Sequence, residues 1–424
     1  MLDKLFTRID DQTDALIALT QDLVRIPTVN PPGEGYEPCS NLLGERLKRS
    51  GFTIDYVRAE GEVGDSDRYP RTNVIARHEG RGPGPTVHFN GHIDVVEAGL
   101  GWSEDPFGGA VRDGRVYGRG SCDMKGGIAA SVIALEAILT EGIPFDGAIE
   151  ISGTVDEESG GFAGVAHLAH QGFFSKPRVD HVIIPECLNV DRICIGHRGV
   201  WWAEVETFGK IAHGSMPFLG DCAIRHMGAV MRAFEDDLLP TLATRRTGMP
   251  VVPAGAKKST LNLAAIHGGL PEEIDGLPSP NVPDRCRLML DRRFPIEESL
   301  AEVKAEIVAI LDDLTRNRPG FRYHIRDVME VLPTLTPEDA DVVRAVAEGI
   351  SRVLGKPPEL IVSPGTYDQK HVHRIGHLKE CIAYGPGILD LAHQPDEYVE
   401  IDHLIASTKV MAASALKLLG VPLR

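Results

Sequence analysis

Seven residues of this 424-residue chain carry the most chemical capacity: His92, Asp94, Asp123, Glu157, Glu158, Glu186 and His393. Imidazole and carboxylate donors without thiolate suit Zn²⁺, Co²⁺ or Mn²⁺. His92-Ile93-Asp94 follows the apolar run Thr86-Val87-His88-Phe89-Asn90. A carboxylate two residues beyond a histidine at a strand end can fix the second ring nitrogen; a capped strand end is the plainer reading of this fragment. Asp123 lies in the glycine-rich stretch Gly118–Gly127. Its two oxygens could bridge two cations about 3.5–4 Å apart, although alone it reads as a helix-entry aspartate. Glu157 and Glu158 follow a β-type run and precede Ser159-Gly160-Gly161. Adjacent side chains at a strand end point differently, so one can bind metal while the other serves as general base; a solvated acidic turn is the competing reading. Glu186 ends the run Val182-Ile183-Ile184-Pro185, at the carboxyl edge where open α/β sheets bind ligands. His393 precedes the acid-containing loop Gln394-Pro395-Asp396-Glu397.

The elements that must position these groups alternate between two periods. Leu5, Ile9, Leu16, Leu19 and Leu23 recur at helical spacing, predicting an opening amphipathic helix that Pro27, Pro31 and Pro32 stop. A second helix is expected over Leu42–Leu47. Strands are expected over Thr53–Val57, Thr72–Arg77, Thr86–Phe89, Gly147–Gly153 and Val179–Pro185, with a helix near Gly127–Glu141. This alternation predicts an α/β sheet with helices on its faces. From Gly199 the pattern changes to long alternating strands, Trp201–Phe208, Leu261–His267, Arg287–Phe294 and Phe321–Val328, with helices near Cys222–Glu235 and Ser299–Thr315. Pro/Gly-rich loops are expected over Gly248–Lys258 and Gly268–Asp284. Residues 199–328 are thus expected to form an α+β block inserted into a first domain of residues 1–198 and 329–424. Helix and strand alternation resumes at Ala340–Leu354, Glu359–Val362, Cys381–Tyr384 and Asp402–Leu419.

Composition narrows the class. An apolar fraction of 42% and a charged fraction of 25% are those of an ordinary soluble protein. With 44 basic against 61 acidic residues, the net charge of −17 opposes binding to nucleic acid or an acidic membrane through bulk electrostatics. Seven cysteines without a C-x-x-C spacing indicate neither a disulfide framework nor a thiolate zinc site, which fits a reducing cytoplasm. The N-terminus has no signal-peptide pattern, and no run reaches the length of a membrane span.

The strings Asn90–Val96, Gly118–Gly127, Asp156–Gly161, Ala212–Ser215 and Ala392–Glu397 resemble, in order, those of the M20 metallopeptidase family. The early stretch Leu23–Pro32 is similar to its acetylornithine deacetylase and desuccinylase branch. The resemblance implies a mixed-sheet, zinc-aminopeptidase-like α/β catalytic domain carrying an inserted lid and dimerisation domain. It further implies that His92 and Glu186 hold one metal, Glu158 and His393 the other, and that Asp123 bridges them before a cis peptide. Glu157 would move the proton, Asp94 would orient, and His213 would reach across a homodimer to an oxyanion. Asn262, Arg293 and the loop Gly365-Thr366-Tyr367-Asp368 would contact substrate. Lys370 would contact substrate too; it stands where relatives carry an arginine, and a lysine cannot make the same fork with a carboxylate.

The expected cofactors are two divalent ions, zinc first and cobalt or manganese next. Such ions polarise an amide carbonyl and acidify a water. The expected reaction is removal of an acyl group from an N-acyl amino acid or related small amine. Dipeptidase or carboxypeptidase action is the alternative, or a catabolic C–N hydrolysis such as deamination or deformylation of an unusual substrate. Trp201 and Trp202 read as core packing. His371, His373 and His377 read as a loop or helix face rather than another metal site, with His371 near the pocket.

Overall fold

The computed structural model describes residues 1–270 and 280–423. Part of the expected Gly268–Asp284 loop therefore lies outside the described residues. The chain divides into two compact units: Met1–Gly196 with Thr336–Ile361 and Tyr367–Arg424, and His197–Leu335 with Val362–Thr366.

The first unit is built on a mixed sheet. Its strands run in the order Thr53–Arg58, Thr72–Glu79, Ala148–Thr154, Thr86–His92, His181–Ile184, Cys381–Ala383 and Arg192–His197. Thr86–His92 lies parallel to both Ala148–Thr154 and His181–Ile184, so all three end at one edge. Every residue of Thr86–His92 and Ala148–Thr154 is buried, as expected of central parallel strands covered on both faces. The helix Gly126–Thr140 is buried from Gly126 to Ile138, which explains its apolar composition all round. It packs with the C-terminal helix Ile401–Leu418.

Several local expectations change. The opening segment is two helices, Leu2–Asp11 and Thr13–Val24, divided at Gln12. The second expected helix extends over Tyr36–Arg49, with Glu37 in its first turn and Arg46, Lys48 and Arg49 in its last, charges that suit the two ends of a helix. Arg192–His197 is a further strand, beyond those expected from the sequence, and Gln369–Arg374 is a short helix.

The second unit is a four-stranded antiparallel sheet, ordered Thr260–Gly268, Arg285–Phe294, Gly199–Phe208 and Arg322–Val331. The helices Ala223–Ala233 and Leu300–Asn317 close its core, where Trp201, Val205, Met227, Leu288, Leu290 and Ile307 are buried. Each such side chain contributes roughly 1.5–3 kcal/mol by leaving water. Leu300–Asn317 starts with a capping box between Ser299 and Glu302. Trp201 belongs to the core and gives its indole N–H to Asp327 Oδ1 at 2.7 Å; the neighbouring Trp202 points the other way and is exposed, as strand alternation requires.

Candidate metal centre

Three parallel strand ends and two loops supply the donors. His92 closes its strand, Glu157 and Glu158 follow Ala148–Thr154, and Glu186 follows His181–Ile184. Gly127 lets the helix Gly126–Thr140 start against the turn that carries Glu186, because a Cβ there would overlap the Pro185 carbonyl oxygen. Asp123 sits just before that helix, and the Asp123–Met124 peptide is cis. His393 adopts a left-handed backbone, φ +64°, a conformation uncommon outside glycine.

His92 Nδ1 lies 3.0 Å from the main-chain oxygen of Asp94 and 3.6 Å from its carboxylate. The shorter approach is the hydrogen bond, so the ring is held by the Asp94 main chain. The Asp94 carboxylate does other work. Its Oδ1 accepts the Glu157 N–H and its Oδ2 the Glu158 N–H, both at 3.1 Å, and Oδ2 also takes Asn30 Nδ2 at 3.1 Å. It thereby shapes the acidic turn. That turn is also held through Asp156, whose oxygens accept Tyr36 Oη at 2.7 Å and Arg71 Nε at 3.1 Å.

With Nδ1 engaged, His92 Nε2 faces Asp123 Oδ1 at 3.1 Å and Glu186 Oε1 at 3.9 Å. On the other side of Asp123, His393 Nε2 lies 3.5 Å from Asp123 Oδ2 and 3.1 Å from Glu158. Two donor sets thus share Asp123: His92, Asp123 and Glu186, and Asp123, Glu158 and His393, the donors of each lying within 4.8 Å of one another.

These sets fit divalent cations. Donors about 2.0–2.2 Å from one tetrahedral ion stand about 3.3–3.6 Å apart, and the four imidazole–carboxylate separations here run from 3.1 to 3.9 Å. Electrostatics agree. Burial, with the charge of Asp123, pushes the Glu158 carboxyl up to about 7, and burial beside Asp123 holds Glu186 well above the usual carboxylate range. Hydrogen bonds to Asp123 and Glu158 raise His393 to about 10. Burial opposes a charge on His92, yet Asp123, Asp94 and Glu186 hold its pKa well above the ordinary value. Protons on these rings occupy the places where positive charge is demanded, and a Lewis acid satisfies the same demand.

Glu157 belongs to neither donor set. Its Oε1 lies 3.2 Å from Lys370 Nζ; Lys370 is buried and Glu157 partly so. Lys370 therefore pairs with the acidic turn, a contact that sequence reading did not foresee. His371, on the same short helix, is buried with Nε2 2.7 Å from the Gly160 oxygen.

A buried polar row was also missed. His88, Asn90 and His92 are alternate residues of one strand and share a face. His88 lies 2.9 Å from Glu150 and 2.7 Å from Ser152 Oγ. Ser152 donates to Asn90 Oδ1 at 2.7 Å, and Asn90 Nδ2 donates to Asp368 Oδ2 at 3.2 Å. Polar residues at every second position of a run otherwise buried were the available signal.

His213, Asn262, Arg293, Gly365 and Thr366 lie in the second unit. His213 is exposed, with Nδ1 2.7 Å from Ser215 Oγ. Asn262 is exposed on the strand Thr260–Gly268. Arg293 is forked on Asp291 at 2.6 and 3.2 Å, so its guanidinium already has a carboxylate. The Gly365 N–H bonds Ser363 Oγ at 3.2 Å.

The description "Peptidase family M20/M25/M40" matches residues 88–417. A succinyl-diaminopimelate desuccinylase of Stenotrophomonas maltophilia is 31% identical over 401 residues, covering 92% of this chain and 96% of that protein. Among solved structures, the dipeptidase Dug1p of Saccharomyces cerevisiae superposes with a TM-score of 0.79 at 16% identity, over 100% of this chain and 99% of that one. A dinuclear metal-binding peptidase of the M20 family from Bacillus subtilis gives 0.68 at 16% identity, over 97% and 100%. The chain belongs to peptidase family M20/M25/M40 and is a metallohydrolase acting on amide carbon–nitrogen bonds.

Proposed function

We propose that this protein removes the acyl group from an N-acyl amino acid, in the manner of a deacetylase or desuccinylase, with two zinc ions bound at the shared-aspartate centre. The observation that carries the reading is the pair of donor sets meeting at Asp123, with a further carboxylate, Glu157, beside them and outside both. His92 and Glu186 would hold one ion, Glu158 and His393 the other, and Asp123 both. The ions supply Lewis acidity toward a carbonyl and a water.

The chain's own residues do the rest. Glu157 takes a proton from the attacking water and delivers it to the leaving nitrogen. Asp94 keeps the Glu157–Glu158 turn in register through the two main-chain N–H groups that it accepts. His213 of a second copy donates to the oxyanion. A homodimer is supported by the exposed apolar residues around His213, namely Ile211, Met216, Phe218 and Leu219. Asn262, Arg293, Gly365 and Thr366 are the proposed substrate contacts, and the similarity to desuccinylases favours an acyl group that ends in a carboxylate. Seven free cysteines support a cytoplasmic setting; among the described residues no helix is long and apolar enough to cross a membrane.

The test is a panel of N-succinyl, N-acetyl, N-formyl and N-aroyl amino acids and dipeptides, each with Zn²⁺, Co²⁺ and Mn²⁺. The highest kcat/KM is expected on an N-acyl amino acid. A clear preference for free dipeptides would replace this reading with the dipeptidase one.

A further inference from the structure

Two carboxylates outside the donor sets bind main-chain N–H groups of the donor-bearing turns. Asp94 does so for the turn of Glu158. The other is Glu397. Its side chain is fully buried, and its Oε1 accepts the N–H groups of Gly120, Cys122 and Asp123, each at 3.0 Å. Gly120, at φ +85°, gives the turn a left-handed step. Successive main-chain N–H groups folded in this way form a concave anion site. The other carboxylate oxygen takes the guanidinium of Arg119, which also donates to the Gln394 carbonyl at 3.3 Å. The Glu397 carbonyl in turn accepts the Gly118 N–H at 2.8 Å.

We infer that Glu397 is a positioning residue of the metal centre. It ties the turn that presents Asp123, the one donor common to both sets, to the loop that presents His393. The inference rests on the two-metal reading. Three N–H bonds to one ionised oxygen are charge-assisted, stronger and more directional than bonds to a neutral acceptor. An amide at the same place offers one carbonyl oxygen without the charge, and its NH2 faces Arg119 with no acceptor to give. The Asp123 turn then loses its anchor while every proposed metal ligand remains. The Arg119 link carries the constraint to Gln394, the residue after His393.

The test compares wild-type protein, Glu397→Gln and Glu397→Asp. Each is stripped of metal, checked for folding by thermal unfolding, and titrated with zinc against a fluorescent chelator. Cobalt-loaded samples are examined by visible absorption. Wild-type protein is expected to take two zinc ions. Glu397→Gln should fold without metal, bind zinc about 10–100-fold more weakly, the usual cost of losing an outer partner of a metal site, and show an altered cobalt spectrum. If the glutamine variant does not fold, the aspartate variant is read in its place: it keeps the charge on a shorter reach, and at least a tenfold loss is expected. Zinc affinity and cobalt spectrum matching wild type in a folded variant would overturn the inference alone. Wild-type protein that takes up no zinc would overturn the metal reading and this inference with it.

Discussion

Lys370 Nζ stands 3.2 Å from Glu157 Oε1, with Lys370 buried and Glu157 partly buried. An ion pair largely shielded from water is costly to break by removing one partner, because the other is left uncompensated. Lys370 therefore acts on the proposed base before any substrate contact is considered. Lys370→Met is expected to lower kcat/KM by about 10–100-fold, or roughly 1.4–2.7 kcal/mol of transition-state stabilisation, with zinc content unchanged. Steady-state kinetics beside metal analysis decide the matter; wild-type kcat/KM in the methionine variant would detach Lys370 from the reaction.

Glu157 is separable from the metal ligands because it lies in neither donor set. Glu157→Ala should keep its metal and lose about 10²–10⁴ in turnover, the range of a general acid–base. Metal lost in proportion to activity would instead make Glu157 a ligand.

Chelation should abolish turnover, and zinc, cobalt or manganese should restore it. The melting temperature should move in parallel: an ion at 100 times its dissociation constant adds about 2.7 kcal/mol to the folded state. Full activity in protein shown to be metal-free would end the metal reading.

His373 provides a pH-dependent contribution to stability away from the centre. Burial, helped by the charge of Lys379, lowers its pKa to about 4, against about 6.5 when unfolded. Between these values the unfolded chain binds a proton that the folded chain refuses. Stability from this group is present above about pH 6.5 and falls as the pH drops toward 4, with a slope of at most about 1.4 kcal/mol per pH unit. Urea unfolding of wild type and His373→Gln across this window should show a shallower decline in the variant. Parallel profiles would mean that His373 does not titrate as described.

If His213 acts in a neighbouring subunit, mixing inactive His213→Ala and Glu157→Ala proteins should restore part of the activity through hybrid dimers. Subunit exchange is followed by mass on differently tagged copies. Exchange without recovery would confine His213 to its own subunit or remove it from catalysis.

The sequence by itself determined the donor types and the local strings that carry them, but not the residue at which each strand ends. His92, Asp123, Glu158 and Glu186 each sit in a short string whose apolar run, glycines or adjacent acids are local signals, and local signals survive without knowledge of the fold. The sheet class was legible for the same reason, since strand and helix periods are properties of neighbouring residues. The division at Gln12 and the strand Arg192–His197 were not, because a single helix boundary and a short buried run carry little period. Tertiary structure alone decided the pairings between distant segments. It brought Lys370 to Glu157, Asp368 to Asn90 and Glu397 to the Asp123 turn, across 213, 278 and 274 residues. It also gave the imidazole bond of His92 to a main-chain oxygen and released the Asp94 carboxylate to hold the next turn. Buried charges and N–H groups must find partners in space, and which partner lies within reach is set by how the strands order and where the loops return.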